Sequence, residues 1–176
     1  MSNSTNAISF AKSIDLCQTT TMNDPMRRWG VIDAKFTLAD GTGTPNPKAH
    51  AILAKYGTGV MPHNGASLML ISTGNAAGEG DPNFDASLDG DMGKTSGFPA
   101  DFVSANGGTL PNAPGCPAPD GNQAGDPVML TLTVRVPTNA QSFSLDTNFF
   151  SDEFPEWTCS AYNDFFVVLL DSMYSG

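Results

Sequence analysis

FFSDEFPEWTCSAYNDFFVVLLD, residues 149–171, gathers carboxylates and aromatic rings around one proline and then runs straight into an apolar segment. Its last part, residues 165–170, is apolar at every position. That is the pattern of a central strand covered on both faces, as in a two-layer sandwich. Ahead of it, Asp152, Glu153 and Glu156 fall within five residues, and Asn163 and Asp164 follow seven residues later. Phe149, Phe150, Phe154, Trp157, Tyr162, Phe165 and Phe166 supply the apolar surface that can hold such a turn in place.

Working outward, residues 128–136, VMLTLTVRV, read as the clearest strand. Met129, Leu130, Leu132, Val134 and Val136 suit an inner face, and Thr131, Thr133 and Arg135 an outer one. After the turn PTNA, residues 142–149 place Phe143, Leu145, Thr147 and Phe149 on one face, so the two segments are expected to be antiparallel neighbours. Residues 67–72, SLMLIS, read as a buried strand entered from the turn at 62–65. Residues 29–38 alternate well enough for a strand that slips out of register at Asp33, with Trp29 in the core. A short helix is expected over residues 4–16, capped by Ser4 or Thr5, with Ala7, Ile8, Ala11 and Ile14 at helical spacing. Residues 49–56 fit either one helical turn or a short strand.

Residues 73–127 differ in character. Gly, Pro, Asp and Asn recur every few positions and exclude a long regular element, so this stretch is either a functional loop or a cover for short strands. Phe84, Phe98, Phe102 and Val103 pin it to the body. The sum is an all-β chain, a jelly-roll-like β-sandwich with a short N-terminal helix and a long Gly/Pro/Asp-rich loop. At 176 residues, it is expected to be one domain over 1–176, with 73–127 as an irregular insertion.

Charge narrows the function. Eight Lys and Arg stand against 18 acids, a net charge of -10. Phosphate neutralisation needs clustered cations, and Arg27-Arg28 is the only basic pair, so nucleic-acid binding is disfavoured. The apolar run at 165–170 is far too short to span a bilayer, and no leader-like segment opens the chain.

Two readings of the acidic stretch stand side by side. Asp152, Glu153, Glu156, Asn163 and Asp164 offer the hard oxygen ligands that calcium takes, six to eight at a time. Alternatively, Pro155 turns the chain, the rings fill the core and the acids face water. Trp157 and Tyr162, if exposed, suit stacking on a sugar ring, and if buried they are core. A hydrolase would use Glu153 with Glu156, or Asp152 with Glu156, as an acid/base pair. His50 and His63 lie in turn-like polar contexts and read as solvated surface residues, and no GxSxG elbow exists. Asp89 and Asp91 stand beside two glycines with Asp85 just upstream, yet they lack the register of a calcium loop and read as a solvated turn.

The same stretch resembles the bacterial choice-of-anchor L domain, whose members share Phe-x-Ser-[Asp/Glu]-Glu-[Phe/Tyr]-Pro-Glu followed by Asn-Asp-x-Phe and an apolar strand. Here these positions are Phe149, Ser151, Asp152, Glu153, Phe154, Pro155 and Glu156, then Asn163, Asp164 and Phe166. CQTT, RRWGVIDAKFTLADG and MLISTGNA upstream are also similar to myxobacterial-type members. The resemblance implies an exported bacterial surface or extracellular protein with no established reaction. It also implies a C-terminally truncated member, since such chains continue past the point where this one ends at Tyr174-Ser175-Gly176. Export makes a disulfide the expected state of two of the three cysteines. Cys116 and Cys159 are the expected pair, in loops flanking the two strands between them, with Cys17 left over. The expected function is a non-catalytic extracellular or cell-surface module for adhesion or binding of a surface glycan or protein ligand, with calcium as the candidate stabiliser. A secreted carbohydrate-active hydrolase and a structural spacer are the alternatives.

Overall fold

The computed structural model describes residues 6–81, 84–88, 91–119, 121 and 123–173. The chain divides into two compact units, one of Met1–Gly97 with Gln123–Ser144 and one of Phe98–Asn122 with Leu145–Gly176. Among the described residues the regular structure is β-rich, three small antiparallel two-stranded sheets and few helices.

In the first unit, α1 covers Ala7–Ser13. Asn6 caps it, its Oδ1 accepting from the Ile8 amide at 3.1 Å. The expected caps, Ser4 and Thr5, lie outside the described residues. Lys12 in the last turn favours the negative end of the helix dipole. Ala7, Phe10 and Ala11 form the buried stripe; of the residues expected on it Ala7 and Ala11 are buried and Ile8 and Ile14 half-buried, Phe10 was not expected, and the helix is shorter than 4–16.

Strand β1, Gly30–Thr37, pairs antiparallel with β6, Met129–Arg135. The intervening strands are β2 (His50–Leu53), β3 (Leu68–Ile71), β4 (Thr95–Gly97) and β5 (Gln123–Gly125). Phe36 faces Leu130, Ala34 faces Leu132 and Val31 faces Val134, which stacks the apolar positions of both strands on one side of the ladder. The register shifts between Val31 and Asp33, where the alternation in the sequence also slips. β1 begins at a glycine for a steric reason. Gly30 has φ +141° and a Cβ there would stand 2.7 Å from the Gln18 carbonyl oxygen, because residues 18–20 run against β1 through Val31 N–H to Gln18 O and Thr20 N–H to Val31 O. Trp29, on the far side of that glycine, is 41% exposed and not core.

The partner of β6 is therefore β1 and not residues 142–149. That segment and residues 165–170 form no regular element and join no ladder. Phe143, Leu145 and Phe149 are exposed, and Leu170 is 71% exposed, so neither segment is the covered strand its pattern suggested. Alternation reports that a segment has an apolar face. It does not report which segment will meet that face.

β2 and β3 pair antiparallel, His50 with Ile71 through Leu53 with Leu68. Within residues 49–56 it is therefore a short strand, 50–53, that forms, and within 67–72 a half-buried one, 68–71. Ala51, Leu53 and Ala76 form a core cluster, with Tyr56, Leu68 and Leu70 packed against it. Residues 73–127 do conceal short elements. These are a 3-10 turn at Ala86–Leu88, β4 paired with β5, and α2 at Ala100–Ala105. Buried Asp126 clasps this region, its carboxylate accepting from the Met92 amide at 2.7 Å and the Lys94 amide at 2.8 Å. Asp85 pairs with Lys48 at 2.7 Å and accepts from the Ser87 amide and hydroxyl. Those donors hold its carboxyl down at about 2. It is a structural acid, and Asp91 likewise accepts from the Gly93 amide. Asp89 lies outside the described residues. Among the described residues, no helix is long and apolar enough to cross a membrane.

His50 is the larger surprise. It is only 4% exposed and packs in a ring cluster, parallel to Phe36 with centroids 4.1 Å apart and edge-on to Phe10 at 5.1 Å. The preceding polar residues suggested surface, but the apolar run AHAIL that it opens is what governs its burial. Burial pushes the imidazole below its ordinary range, and its own backbone opposes this only in part. The unfolded state therefore binds a proton near pH 6.5 that the folded state resists, so stability is fully present above that pH and falls as pH drops below it. Urea denaturation between pH 7.5 and the start of the carboxylate range, at roughly pH 5, should show this loss, and His50→Phe, which keeps the stack, should remove it. An unchanged pH profile in the variant would exclude His50 as its source.

Candidate functional site

The acidic and aromatic stretch lies in the second unit, and its chain path follows from local hydrogen bonds. The Trp157 amide donates to Glu153 O at 2.7 Å and the Ser160 amide to Trp157 O at 3.0 Å, so residues 153–160 wind as consecutive turns around Pro155, whose peptide bond with Phe154 is cis. Cys159, at φ +60°, reaches Cys116 in a disulfide with a Cα separation of 5.0 Å. The expected pairing is thus the observed one, and Cys17 is an exposed free thiol. Closing a loop of 43 residues removes chain entropy from the unfolded state, worth about 4 kcal/mol in the loop-closure account. Phe165 anchors the unit from inside, edge-on to Phe98 at 6.0 Å and to Phe102 at 6.1 Å. The assignment of Phe98 and Phe102 as pinning residues agrees with this, whereas Phe84 is exposed.

Only part of the expected ligand set comes together. The Ser151 hydroxyl donates to Asp164 Oδ2 at 2.7 Å and accepts from the Glu153 amide at 3.3 Å. The Asp164 amide in turn bonds the Glu153 carboxylate. Ser151, Glu153 and Asp164 form one knot across thirteen residues of sequence. Asp152, Glu156 and Asn163 stand exposed. Among the described residues, no three His, Cys, Asp or Glu side chains are grouped so that they could hold a metal ion together. Ser151 was the member that residue-type reasoning passed over. A serine is an unremarkable neighbour in sequence, and its contact with Asp164 exists only in three dimensions.

Trp157 and Tyr162 are brought together, edge to face with centroids 5.7 Å apart. Both are outside the core, 54% and 62% exposed. With Glu153 they line a shallow recess of about 290 Å³. The Ser160 hydroxyl steadies the Tyr162 backbone, accepting from its amide at 3.1 Å and donating to its carbonyl at 3.2 Å.

Burial raises the Glu153 carboxyl above its ordinary range, the Asp164 charge adds to this, and the Asp164 amide works against it. Of the acids paired in the hydrolase expectation, Glu153 feels the charge of Asp164.

Compared with models of protein families, with curated proteins and with solved structures, the chain matches none.

The Glu153 shift makes a signed prediction. The folded state holds the proton more tightly than the unfolded one, so stability falls as pH rises from 4.5 through the folded value, and a constant penalty persists above it. Glu153→Gln keeps an oxygen for the Asp164 amide and should be more stable than the parent at pH 7, with the gap closing below pH 4.5. Chemical denaturation across that range reads it out, and a variant that is less stable at pH 7 would contradict the assignment.

Proposed function

We propose that this chain is a non-catalytic binding module of an exported bacterial surface protein, of the choice-of-anchor L kind, with a jelly-roll-like β-sandwich as its framework. It acts in adhesion by binding a surface glycan. The single observation that carries this reading is the solvent-facing Trp157–Tyr162 pair with the Glu153 carboxylate in the same recess. A pyranose has an apolar C–H face that stacks on an indole and hydroxyls that donate to a carboxylate, and this recess offers both within one concavity. The Cys116–Cys159 disulfide supports an oxidising, extracellular setting. The family assignment rests on the motif at residues 149–166.

The test is binding of the purified chain to immobilised neutral oligosaccharides, with affinities by calorimetry. Trp157→Ala and Tyr162→Ala should each weaken binding by about tenfold, the magnitude of one lost stacking contact, without lowering the melting temperature, because neither ring is core. Blank arrays, or variants that bind as the parent does, would dispose of the glycan reading.

Calcium belongs to this proposal as a stabiliser. Glu153 and Asp164 repel one another, and a cation against them, completed by Asp152, Glu156, Asn163 or backbone oxygens, would relieve that repulsion. Melting should then rise with calcium by RT ln(1 + [L]/Kd), roughly 2.7 kcal/mol at a hundredfold excess, and Asp164→Asn should remove the dependence. The absence of both a melting shift and binding heat at millimolar calcium would leave the acids as a solvated rim.

The coupling of Glu153 with Asp164 also favours one second reading, a carbohydrate-active hydrolase in which Glu153 is the proton donor. New reducing ends released from a bound oligosaccharide, and lost in Glu153→Gln, would establish it over the binding module.

A further inference from the structure

The first unit carries a second recess, of about 520 Å³, lined among others by Phe36 and His50, by Pro45 and Pro47 of the loop before β2, and by Lys35 and Thr44. The volume lies within the range of small-molecule sites, about 300–1,000 Å³. Its walls are formed by the start of α1, by β1, by the loop at 44–47 and by the first residue of β2, so regular elements hold most of it in place.

Two observations point to a ligand. The first is His50. The residue is almost fully buried, its Nδ1 is buried without a hydrogen-bond partner, and apart from a contact with its own backbone no described residue bonds the ring. A polar ring at such a position costs stability that Phe or Leu would not. A wall position that keeps an imidazole at that cost has a use for it. The second is charge. In a chain with a net charge of -10, no acidic residue is among the described residues lining the recess, and Lys35 is the one of them that carries a charge. Two prolines and the parallel Phe36–His50 pair make the apolar wall, which suits a flat ring.

We propose that this recess binds a small aromatic carboxylate, its ring against the Phe36, Pro45 and Pro47 wall and its carboxylate held by the Lys35 ammonium and the His50 imidazole N–H. The site is separate from the Trp157–Tyr162 recess and does not depend on the glycan reading. The same chemistry has two sources, a free aryl acid and the C-terminal carboxylate of a peptide ending in an aromatic residue, and the probes separate them.

The experiment uses the full chain, labelled with 15N, at pH 7.5. 2-Naphthoate at millimolar concentration should shift the amides of residues 34–36 and 44–50. 2-Naphthalenemethanol, which keeps the ring and lacks the charge, should bind at least tenfold more weakly, and the amine 2-naphthylmethylamine should not bind. N-acetyl-Gly-Phe carrying a free C-terminal carboxylate reports the peptide source, and tighter binding of it than of 2-naphthoate assigns the ligand to a chain terminus. Lys35→Gln, at an exposed strand position, should weaken 2-naphthoate about tenfold while the spectrum stays that of a folded protein. His50→Phe, which retains the ring stack, should weaken it as well. Equal binding of acid and alcohol, binding unaffected by Lys35→Gln, or shifts confined to other residues would overturn the proposal, as would the absence of any shift.

Discussion

The burial of Phe10 is the constraint on which the first unit depends. This ring has no surface left to solvent, and it sits edge-on to Phe36 of β1 at 4.8 Å and to His50 of β2 at 5.1 Å. One side chain thereby joins helix, ladder and hairpin. Most of the other buried hydrophobic residues are alanines, so close approach of backbones supplies much of the remaining packing and few large groups share the load. Removing a buried phenylalanine ordinarily costs about 3–5 kcal/mol, a large part of what holds a domain of this size together. The stack of His50 on Phe36 follows from the same geometry. So does the recess beside it, because the loop of Pro45 and Pro47 approaches β2 without a side chain large enough to fill the space.

The second unit is held by different means. A disulfide, the contacts of Phe98 and Phe102 with Phe165, and a succession of turn hydrogen bonds take the place of sheet pairing around the acidic stretch. With so little apolar volume available, several rings of this stretch remain at the surface. This is what leaves the Trp157–Tyr162 pair exposed. The acids divide in consequence, with Glu153 and Asp164 drawn together through Ser151, and Asp152 and Glu156 directed to solvent, so that a single sequence cluster becomes one coupled pair and a surrounding negative rim.

Much of this was legible along the chain. The helical spacing that includes Ala7 and Ala11, the alternation of β1 and β6, the slip at Asp33 and the hidden short strands within 73–127 are all local properties. They depend on the backbone period and on turn chemistry, which act over a few residues. That two cysteines pair followed from the exported character that the motif implied, and the choice of Cys116 with Cys159 from their place in loops flanking the two expected strands. The prominence of residues 149–166 as the place to look for a site was equally a matter of composition.

What tertiary structure alone decided was partnership. Residues 128–136 announce an apolar face, and the turn after them suggested the next segment as neighbour, yet β1, almost a hundred residues earlier, supplies the matching Ala34 and Phe36. His50 looked solvated among polar neighbours and is buried because Phe10 and Phe36 converge on it from distant parts of the chain. Ser151 meets Asp164 for the same reason. By itself the sequence determined which residues have an apolar face, a turn or an ionisable group. Which of them meet is set by the competition of all such faces for burial, a property of the whole chain that no window of neighbouring residues contains.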